Sequence, residues 1–395
     1  MSKIIVIPTY YKQAKFFCRM KRSLEKLNYE LDIYVYKLSL YLLLKKHKVN
    51  VHYIKKSNIN NSINKRAMES IEYKIGEMNI AKSNILYSAT IYTLKKYADI
   101  RNTTAIFIWN GSSVDSIAAT DFAKKYNIKT LYFEIANVPN KLFVDKIGTN
   151  AKSELYKNIN ILNEYNPSRE EYIVWRKHYL KLKIKNHIVP QKRSIIDSLQ
   201  IRYFIDIIGY ILSGNLFINK SFYKKKFLQL KNNIQHPLHF DRYNYKKRKY
   251  IFFPLQVSYD SQIILNSDIN LLDAFKKVLK YAKENEYELV IKPHPQECNY
   301  TALKEFLIYK DSFILSNDNT FLLMKYAQEV WTINSTVALE ALILGKKIRV
   351  LGKSFYGLLT EDYLMKYICG YLKNIDFFSN EEITVSQVKS IIKDI

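Results

Sequence analysis

Short apolar runs of strand length alternate along this chain with segments whose apolar residues recur at helical spacing. Strands that alternate with helices build a parallel sheet covered by helices on both faces. The pattern stops near residue 165 and returns at residue 250, which predicts an α/β protein with two sheets. The strand-like runs are residues 4–7, 31–35, 105–109, 130–133, 250–253, 288–291, 330–333 and 348–351, and the predicted helices include residues 14–27, 115–126, 270–283 and 336–344.

The segment between the two predicted sheets has a different character. Basic and aromatic residues interleave there, and Pro167, Pro190 and Pro237 interrupt the chain. The 395 residues, 48% of them hydrophobic, are enough for two ordinary cores. We therefore expect a first Rossmann-like domain over residues 1–165, a basic helical linker over 166–249, a second Rossmann-like domain over 250–360 and C-terminal helices over 361–395.

Neither the cysteines nor the apolar segments indicate an exported or membrane-spanning protein. Cys18, Cys298 and Cys369 lie far apart, which argues against a disulfide framework or a zinc site. The first eight residues do not read as a secretory signal, and no run approaches the roughly 20 apolar residues that cross a bilayer. The most apolar segment, residues 203–217, contains Asp206 and is predicted to be a partly buried helix. We expect a cytoplasmic location.

The formal charge of +26 has two explanations of equal weight. A strongly positive chain attracts polyanions such as nucleic acids, anionic lipid headgroups and sugar nucleotides. A lysine-rich composition of the kind that A·T-biased genomes encode would produce the same excess. Local clusters such as residues 246–249 fit a polyanion better than they fit a general bias.

Two loops in the second half carry residues suited to a nucleotide phosphate. Lys292 and His294 follow a predicted strand, and the prolines around His294 make that loop stiff. Asn334, Ser335 and Thr336 follow another strand and lead into a helix, where free N–H groups favour an anion. The competing interpretations are a strand terminator and simple helix capping. Glu340, one turn further on, is a candidate ligand for a ribose hydroxyl.

Carboxylates follow strands in both halves. Asp260 lies in the polar loop of Gln256 and Ser261 after the first strand of the second sheet, where it is either a turn residue or a catalytic carboxylate. In the first half Glu134 ends a strand, and Asn137 and Asn150 lie in the loops after it. In open parallel sheets ligands bind beyond the carboxyl ends of the strands, so the positions favour function.

Several other chemistries lack their sequence signatures. The chain has no glycine-rich phosphate loop, no cysteine–histidine cluster with metal spacing and no nucleophile elbow. No nucleic-acid-binding module is recognisable, so charge alone suggests that class.

Taken in order, these segments resemble the bacterial capsule biosynthesis family of KpsS and KpsC type, also called LipB. The likeness covers residues 106–150 and 250–360. In the first stretch it rests on Trp109-Asn-Gly111, Phe133-Glu134, Asn137-Val-Pro139 and Asp145 with Gly148-Thr-Asn150. In the second it rests on Gln256 with Asp260-Ser261, Lys292-Pro-His-Pro295, Thr332-Ile-Asn-Ser-Thr336, Glu340-Ala-Leu342, Gly345 and Phe355-Tyr356.

The resemblance implies a GT-B fold, in which two Rossmann-like domains face a central cleft, and transfer of Kdo (3-deoxy-D-manno-octulosonic acid) from CMP-Kdo. It implies a retaining reaction that forms a β linkage and needs no metal or other cofactor. Asp260 would be the catalytic carboxylate or nucleophile and Glu134 the carboxyl facing it. Lys292 and His294 would hold the phosphate, and Asn334, Ser335, Thr336 and Glu340 the rest of the nucleotide, with Gln256, Ser261, Asn137 and Asn150 in support.

The implied acceptor is a lyso-phosphatidylglycerol or a Kdo-linker glycolipid, and other capsule assembly proteins are further expected partners. The charge of +26 and the lack of a membrane-spanning run predict another partner, the anionic inner face of the cytoplasmic membrane. The basic, aromatic stretch from about residue 172 to 250 is the predicted membrane contact, and a solvated linker is the alternative. Rival functions are a sialyltransferase, a CDP-polyol phosphotransferase on the same scaffold, and a non-catalytic capsule assembly or export factor.

Overall fold

A computed structural model describes residues 1–55, 64–184, 201–212, 238–257, 260–294, 300–393 and 395. These residues form two compact units, each with its own sheet. The described part of the first unit consists of residues 1–154, 201–212 and 372–395, and that of the second unit of the remainder between 155 and 371. The predicted α/β class with two Rossmann-like units is confirmed.

The sheet of the first unit has the strand order β3-β2-β1-β4-β5-β6. Its strands pair in parallel except β6, which runs antiparallel to β5. Alternate residues of β1 face opposite sides, so Ile4 and Val6 join one core while Ile5 and Ile7 join the other. The strands are β1 (Ser2–Ile7), β2 (Tyr29–Val35), β3 (Asn50–Tyr53), β4 (Thr103–Trp109), β5 (Lys129–Ile135) and β6 (Leu142–Asp145).

Helices cover both faces of this sheet. The predicted helix over residues 14–27 is two helices that separate at Arg19 and Met20, where the Arg19 guanidinium donates to the carbonyls of Asp376, Phe377 and Glu381. The helices are α1 (Tyr11–Cys18), α2 (Lys21–Lys26), α3 (Leu38–Lys46), α4 (Ile71–Lys74), α5 (Ile80–Tyr97) and α6 (Val114–Lys125), with 3₁₀ turns at Lys65–Glu69 and Asn150–Lys152.

The sheet of the second unit has the strand order β11-β10-β7-β8-β9, and all its pairs are parallel. Ile251 and Phe253 of β7 enter the core on one side, and Tyr250 and Phe252 enter the core on the other. The strands are β7 (Tyr250–Pro254), β8 (Glu288–Lys292), β9 (Ile314–Leu315), β10 (Glu329–Thr332) and β11 (Lys347–Val350).

The helices of the middle and C-terminal parts of the chain are divided between the units. They are α7 (Glu154–Lys157), α8 (Arg169–Ile184), α9 (Ile201–Leu212), α10 (Ser261–Asn266), α11 (Leu271–Glu284), α12 (Tyr300–Leu307), α13 (Thr320–Tyr326), α14 (Val337–Ile343), α15 (Glu361–Met365) and α16 (Val385–Ile392). Irregular helices lie at Ile159–Glu164, Lys310–Ser312, Phe355–Leu358 and Lys366–Tyr371. Within the predicted linker, α8 belongs to the second unit and α9 to the first.

The last residues of the chain complete the core of the first unit. Ile375, Phe377 and Ile383 are buried in it together with two residues of α16, Val388 and Ile391. Residues 361–395, predicted as one C-terminal helical region, are therefore divided between the two units at residue 372. No helix in the described ranges is both long and apolar enough to cross a membrane.

Candidate functional site

The strand order of the second sheet brings three of the predicted loops together. β7 lies in the middle, with β10 on one side and β8 on the other. Because these pairs are parallel, the loops after all three strands start at the same edge of the sheet. Gln256 and Asp260 follow β7, His294 follows β8, and Asn334 to Thr336 follow β10.

Gln256 connects the loop after β7 to the loop after β10. Its side chain is 5% exposed. The amide nitrogen donates to Asn334 Oδ1 at 3.0 Å and to Asp260 Oδ2 at 3.3 Å. Its amide oxygen accepts from the backbone N–H of Asn334 at 3.2 Å and from the Thr332 hydroxyl at 3.4 Å. One glutamine therefore sets the position of both loops and of the Asp260 carboxylate.

Asp260 combines a structural contact with a partly exposed carboxylate. It is the N-cap of α10, because Oδ1 accepts from the backbone N–H of Gln262 at 2.8 Å. Oδ2 accepts from Gln256, and the residue is half-buried. Ser261 is the first residue of α10. The turn interpretation and the catalytic one are both compatible with this geometry, since each carboxylate oxygen keeps acceptor capacity beyond its single contact.

His294 lies near enough to Asp260 for their charges to interact. Burial lowers the pKa of the imidazole, and the negative charge of Asp260 opposes that shift. Since burial is the larger effect, the ring is mainly neutral near pH 7. A neutral imidazole binds a phosphate oxygen through one N–H rather than through a full charge. Pro295, the second proline of the predicted motif, lies outside the described residues, as do Ser258 and Tyr259.

Asn334 is a positioning residue by its contacts. Besides its bonds to Gln256, its amide nitrogen donates to the carbonyls of Gln262 at 2.8 Å and Asn266 at 3.2 Å. These contacts use both amide hydrogens within the protein, so the side chain is better suited to hold the loop than to donate to a nucleotide. Ser335 Oγ accepts from the backbone N–H of Val337 at 3.3 Å, and Thr336 makes no side-chain capping bond to α14.

Lys292 and Glu340 have protein partners of their own. The Lys292 ammonium donates to the backbone carbonyl of Asp318. Glu340 forms an ion pair with Lys183 of α8 at 3.0 Å, and both side chains are largely buried. A ribose hydroxyl that binds Glu340 would therefore compete with Lys183 or share the carboxylate with it.

In the first unit Glu134 forms a second polar cluster, at the end of β5. Burial raises the pKa of its carboxyl, while hydrogen bonds from Asn110 and from the Ile135 backbone N–H oppose the shift. Asn110 follows the neighbouring strand β4 and has a φ of 62°, which places its amide against Glu134. A carboxyl with a raised pKa accepts a proton more readily than an ordinary carboxylate does.

Asn137 lies in the loop after β5, the strand that carries Glu134, and Asn150 lies in the loop after β6. Asn137 is half-buried after β5. Asn150 has a φ of 54° and starts the turn after β6, next to Thr149, whose hydroxyl donates to the carbonyl of Asn110 at 2.9 Å. Asp145 accepts three backbone N–H groups, from Ile147, Gly148 and Glu154, and so organises this loop.

Sequence reasoning gave no site role to Asn110 or Thr332. Asn110 carries the hydrogen bond to Glu134, and Thr332 contacts Gln256 and accepts the Ser335 N–H at 3.1 Å. An available signal for Asn110 was the Asn-Gly pair directly after a buried strand, which indicates a left-handed turn. Among the residues that the structure describes, no group of three histidine, cysteine, aspartate or glutamate side chains has the geometry of a metal site.

The family model for capsule polysaccharide biosynthesis proteins matches residues 104–363, which include both polar clusters. Protein FixF of Sinorhizobium fredii is 34% identical over 123 residues, which are 28% of this chain and 28% of FixF. The match thus spans less than a third of that curated relative.

Several solved structures are distantly similar over most of the chain. KpsC of Thermosulfurimonas dismutans, a β-Kdo 2,7 transferase, aligns with a TM-score of 0.46 and 13% identity, over 99% of this chain and 98% of that chain. The β-Kdo 2,4 transferase of the same protein has a TM-score of 0.45 and 17% identity, over 74% and 88%. The UDP-GlcNAc 2-epimerase of Methanocaldococcus jannaschii has a TM-score of 0.32 and 13% identity, over 99% and 98%.

Proposed function

Because this chain belongs to the capsule polysaccharide biosynthesis protein family, we propose that it is a glycosyltransferase that transfers Kdo from CMP-Kdo. The acceptor in this proposal is a lyso-phosphatidylglycerol or a growing Kdo linker. The observation that supports it most directly is the Asp260 carboxylate, held by Gln256 and by the N–H of Gln262, with His294 nearby. These groups lie at the sheet edge where α/β proteins bind ligands.

The chemistry requires a carboxylate of this kind. Departure of CMP from Kdo gives a transition state with oxocarbenium character, which an ionised carboxylate stabilises or traps as a covalent sugar ester. Asp260 takes this role in the proposal, and either course leads to retention if the acceptor hydroxyl attacks from the face that CMP has left. The Gln256 contact orients the carboxylate before the reaction, so little reorganisation is needed.

We assign the proton transfer to Glu134. Its raised pKa suits a group that takes the proton from the acceptor hydroxyl as the new bond forms. Retaining glycosidases also use two carboxyls in different environments, one as the nucleophile and the other for proton transfer.

The donor would be held by groups around Asp260. His294 donates one N–H to the phosphate, Lys292 adds a cation if it leaves the Asp318 carbonyl, and the hydroxyls of Ser335 and Thr336 add donors. Glu340 would take a ribose hydroxyl. The reaction in this form uses no metal ion. A lipid-linked acceptor would also place the protein at the inner surface of the cytoplasmic membrane, in line with its +26 charge.

The experiment is product analysis by mass spectrometry after incubation of the protein with CMP-Kdo and a fluorescent lyso-phosphatidylglycerol. We expect a product heavier by one or more Kdo residues, and the same yield in the presence of EDTA. Parallel reactions with CMP-sialic acid and CDP-glycerol test the sialyltransferase and polyol-phosphate alternatives. Products from either of these donors but none from CMP-Kdo would contradict the Kdo assignment, and no transfer from any donor would favour a capsule assembly factor.

A further inference from the structure

Helix α9 leaves part of its apolar surface exposed. Gly209 and Tyr210 are buried in the first unit, whereas Ile208 is 53% exposed and Ile211 is 65% exposed. Ile205 lies one turn before Ile208 and is half-buried. Ile205, Ile208 and Ile211 recur at a spacing of three, so they line one side of the helix, which we name the α9 apolar face.

The orientation of α9 is set by specific contacts with α3. Oδ1 of Asp206 accepts the backbone N–H of Ser39 at 2.8 Å, in the first turn of α3, where helical N–H groups lack partners of their own. Gly209 lies so close to α3 that a Cβ there would be 2.5 Å from the Cβ of Leu38. Rotating the isoleucines inward would break the hydrogen bond and remove the close packing.

Helix α3, which contacts α9 at Leu38 and Ser39, also has an exposed apolar residue and a basic end. Leu42 of α3 is 51% exposed. The end of α3 carries Lys45 and Lys46, followed by Lys48, and all three are exposed. Exposed isoleucine and leucine side chains on two contacting helices, one of which ends in lysines, match the composition of segments that enter the headgroup region of an anionic bilayer.

We infer that the α9 apolar face, with Leu42 and the lysines at the end of α3, docks the protein on an anionic lipid surface. This deepens the proposed function, since it rests on a lipid-linked acceptor, and it names the contact surface. Charge favours a bilayer over a second copy of this chain, because two molecules with a charge of +26 repel each other whereas phosphatidylglycerol attracts both.

The test is flotation of the full-length protein with vesicles of phosphatidylcholine alone or with phosphatidylglycerol. The double variant Ile208→Ser/Ile211→Ser should lower the fraction bound to anionic vesicles by about fivefold or more, since it removes the inserting side chains. Its matched control is Ile308→Ser, which changes an isoleucine that is 81% exposed on the second unit and should bind as the wild type does. Both variants are checked for an unchanged melting temperature.

A second pair of variants tests the electrostatic part. Lys45→Gln/Lys46→Gln should weaken binding to anionic vesicles more than Lys276→Gln/Lys277→Gln, which removes the same charge from exposed positions of α11. Equal losses from both pairs, or wild-type binding by the isoleucine double variant, would overturn the assignment of this surface. A dimer in light scattering that the isoleucine variant converts to a monomer would overturn it in favour of a second copy.

Turnover with a water-soluble acceptor separates this inference from the proposed function. The isoleucine variant should transfer sugar to a lipid-free Kdo-linker analogue as fast as the wild type. If the wild type floats with anionic vesicles but transfers no sugar to any acceptor, the proposed reaction fails while the docking surface stands. If transfer proceeds and the isoleucine variant still floats as the wild type does, the docking surface fails alone.

Discussion

At the scale of single residues, substitution can separate the helix-capping contact of Asp260 from its proposed catalytic role. Asparagine caps helices about as well as aspartate, so Asp260→Asn keeps the bond to the Gln262 N–H and removes the charge. We expect the kcat of sugar transfer to fall by about a thousandfold or more, because the charge is proposed to act on the transition state. Affinity for CMP, measured by calorimetry, should stay within about threefold of the wild type.

A matched control exists for the capping function. Asn270 caps α11 as Asp260 caps α10, by accepting the backbone N–H of Asp273 at 2.8 Å. Asn270→Ala should therefore cost about 1 kcal/mol of stability and leave the rate of transfer unchanged. Activity of Asp260→Asn or Asp260→Ala within about tenfold of the wild type would remove Asp260 from the catalytic role.

Substitution of His294 should affect binding as well as turnover. The imidazole is proposed to touch the phosphate in the ground state and in the transition state, so His294→Ala should weaken CMP binding by about tenfold. Since burial lowers its pKa, the ring is already neutral at pH 7. The CMP dissociation constant of the variant divided by that of the wild type should then have the same value at about pH 7 as at about pH 8. Unchanged CMP affinity in calorimetry would show that this loop is structural.

Glu72 is a buried carboxyl whose ionisation destabilises the folded protein. Burial, followed by the charge of Asp115, raises its pKa from 4.5 to about 8. Between these pH values the folded protein keeps a proton that the unfolded chain releases, so the free energy of unfolding falls as the pH rises. At pH 8 Glu72→Gln should stabilise the first unit by on the order of 1–3 kcal/mol, because the amide carries no charge and can still accept the Val114 N–H.

Denaturant unfolding across this pH range measures the effect of Glu72. The decline in stability from pH 5 to pH 8 should be smaller in Glu72→Gln than in the wild type. Glu25→Gln is the control, since Glu25 is exposed on α2 and its contact with Lys21 is a surface pair at 3.7 Å. A wild-type pH profile for Glu72→Gln would show that Glu72 is ionised in the folded protein at neutral pH.

At the scale of elements, the loop after the central strand β7 is held to the loop after β10 by the hydrogen bonds between Gln256 and Asn334. Gln256→Ala removes the buried side chain that joins them and leaves the Asn334 amide oxygen without its donor. We expect the free energy of unfolding to fall by about 1–3 kcal/mol. The kcat should fall as well, since Asp260 loses the group that orients it.

Substitution of Gln387 tests whether the fall in kcat depends on the position of Gln256 or follows from the loss of any glutamine. Gln387 belongs to the capping box of α16 and is half-buried, so Gln387→Ala should cost about 1 kcal/mol or less without a change in kcat. Equal effects of the two substitutions on kcat would contradict the positioning role of Gln256.

At the scale of the whole molecule, the charge of +26 should govern association with anionic membranes. Binding to phosphatidylglycerol vesicles should be strong at low salt and fall as salt screens the field. Lys246, Lys247 and Lys249 are exposed, whereas Arg248 is paired with Glu288, so the three lysines are the residues to neutralise. Their triple substitution by glutamine should lower the bound fraction in flotation, and equal recovery with neutral and anionic vesicles would contradict the electrostatic account.

The sequence by itself determined which segments form strands and which loops carry polar groups. The runs at residues 4–7, 105–109 and 250–253 are apolar throughout, and such runs bounded by turn residues form buried strands from local information alone. His294 and Asp260 could be identified as candidates because each follows such a strand. These features depend on residues close together in the chain, so their signal lies within a short window of sequence.

Tertiary structure decided which of these groups meet and which way the helices face. The position of β7 between β8 and β10 brings three loops to one edge, and no local pattern encodes a strand order. Lys183 is paired with Glu340 although 157 positions (340 − 183) separate them. The apolar residues of α9 predicted a buried side, but the Asp206 bond and the close approach at Gly209 turn Ile208 and Ile211 outward. Helical periodicity shows that a helix has two sides, and only packing against a neighbour determines which of them is buried.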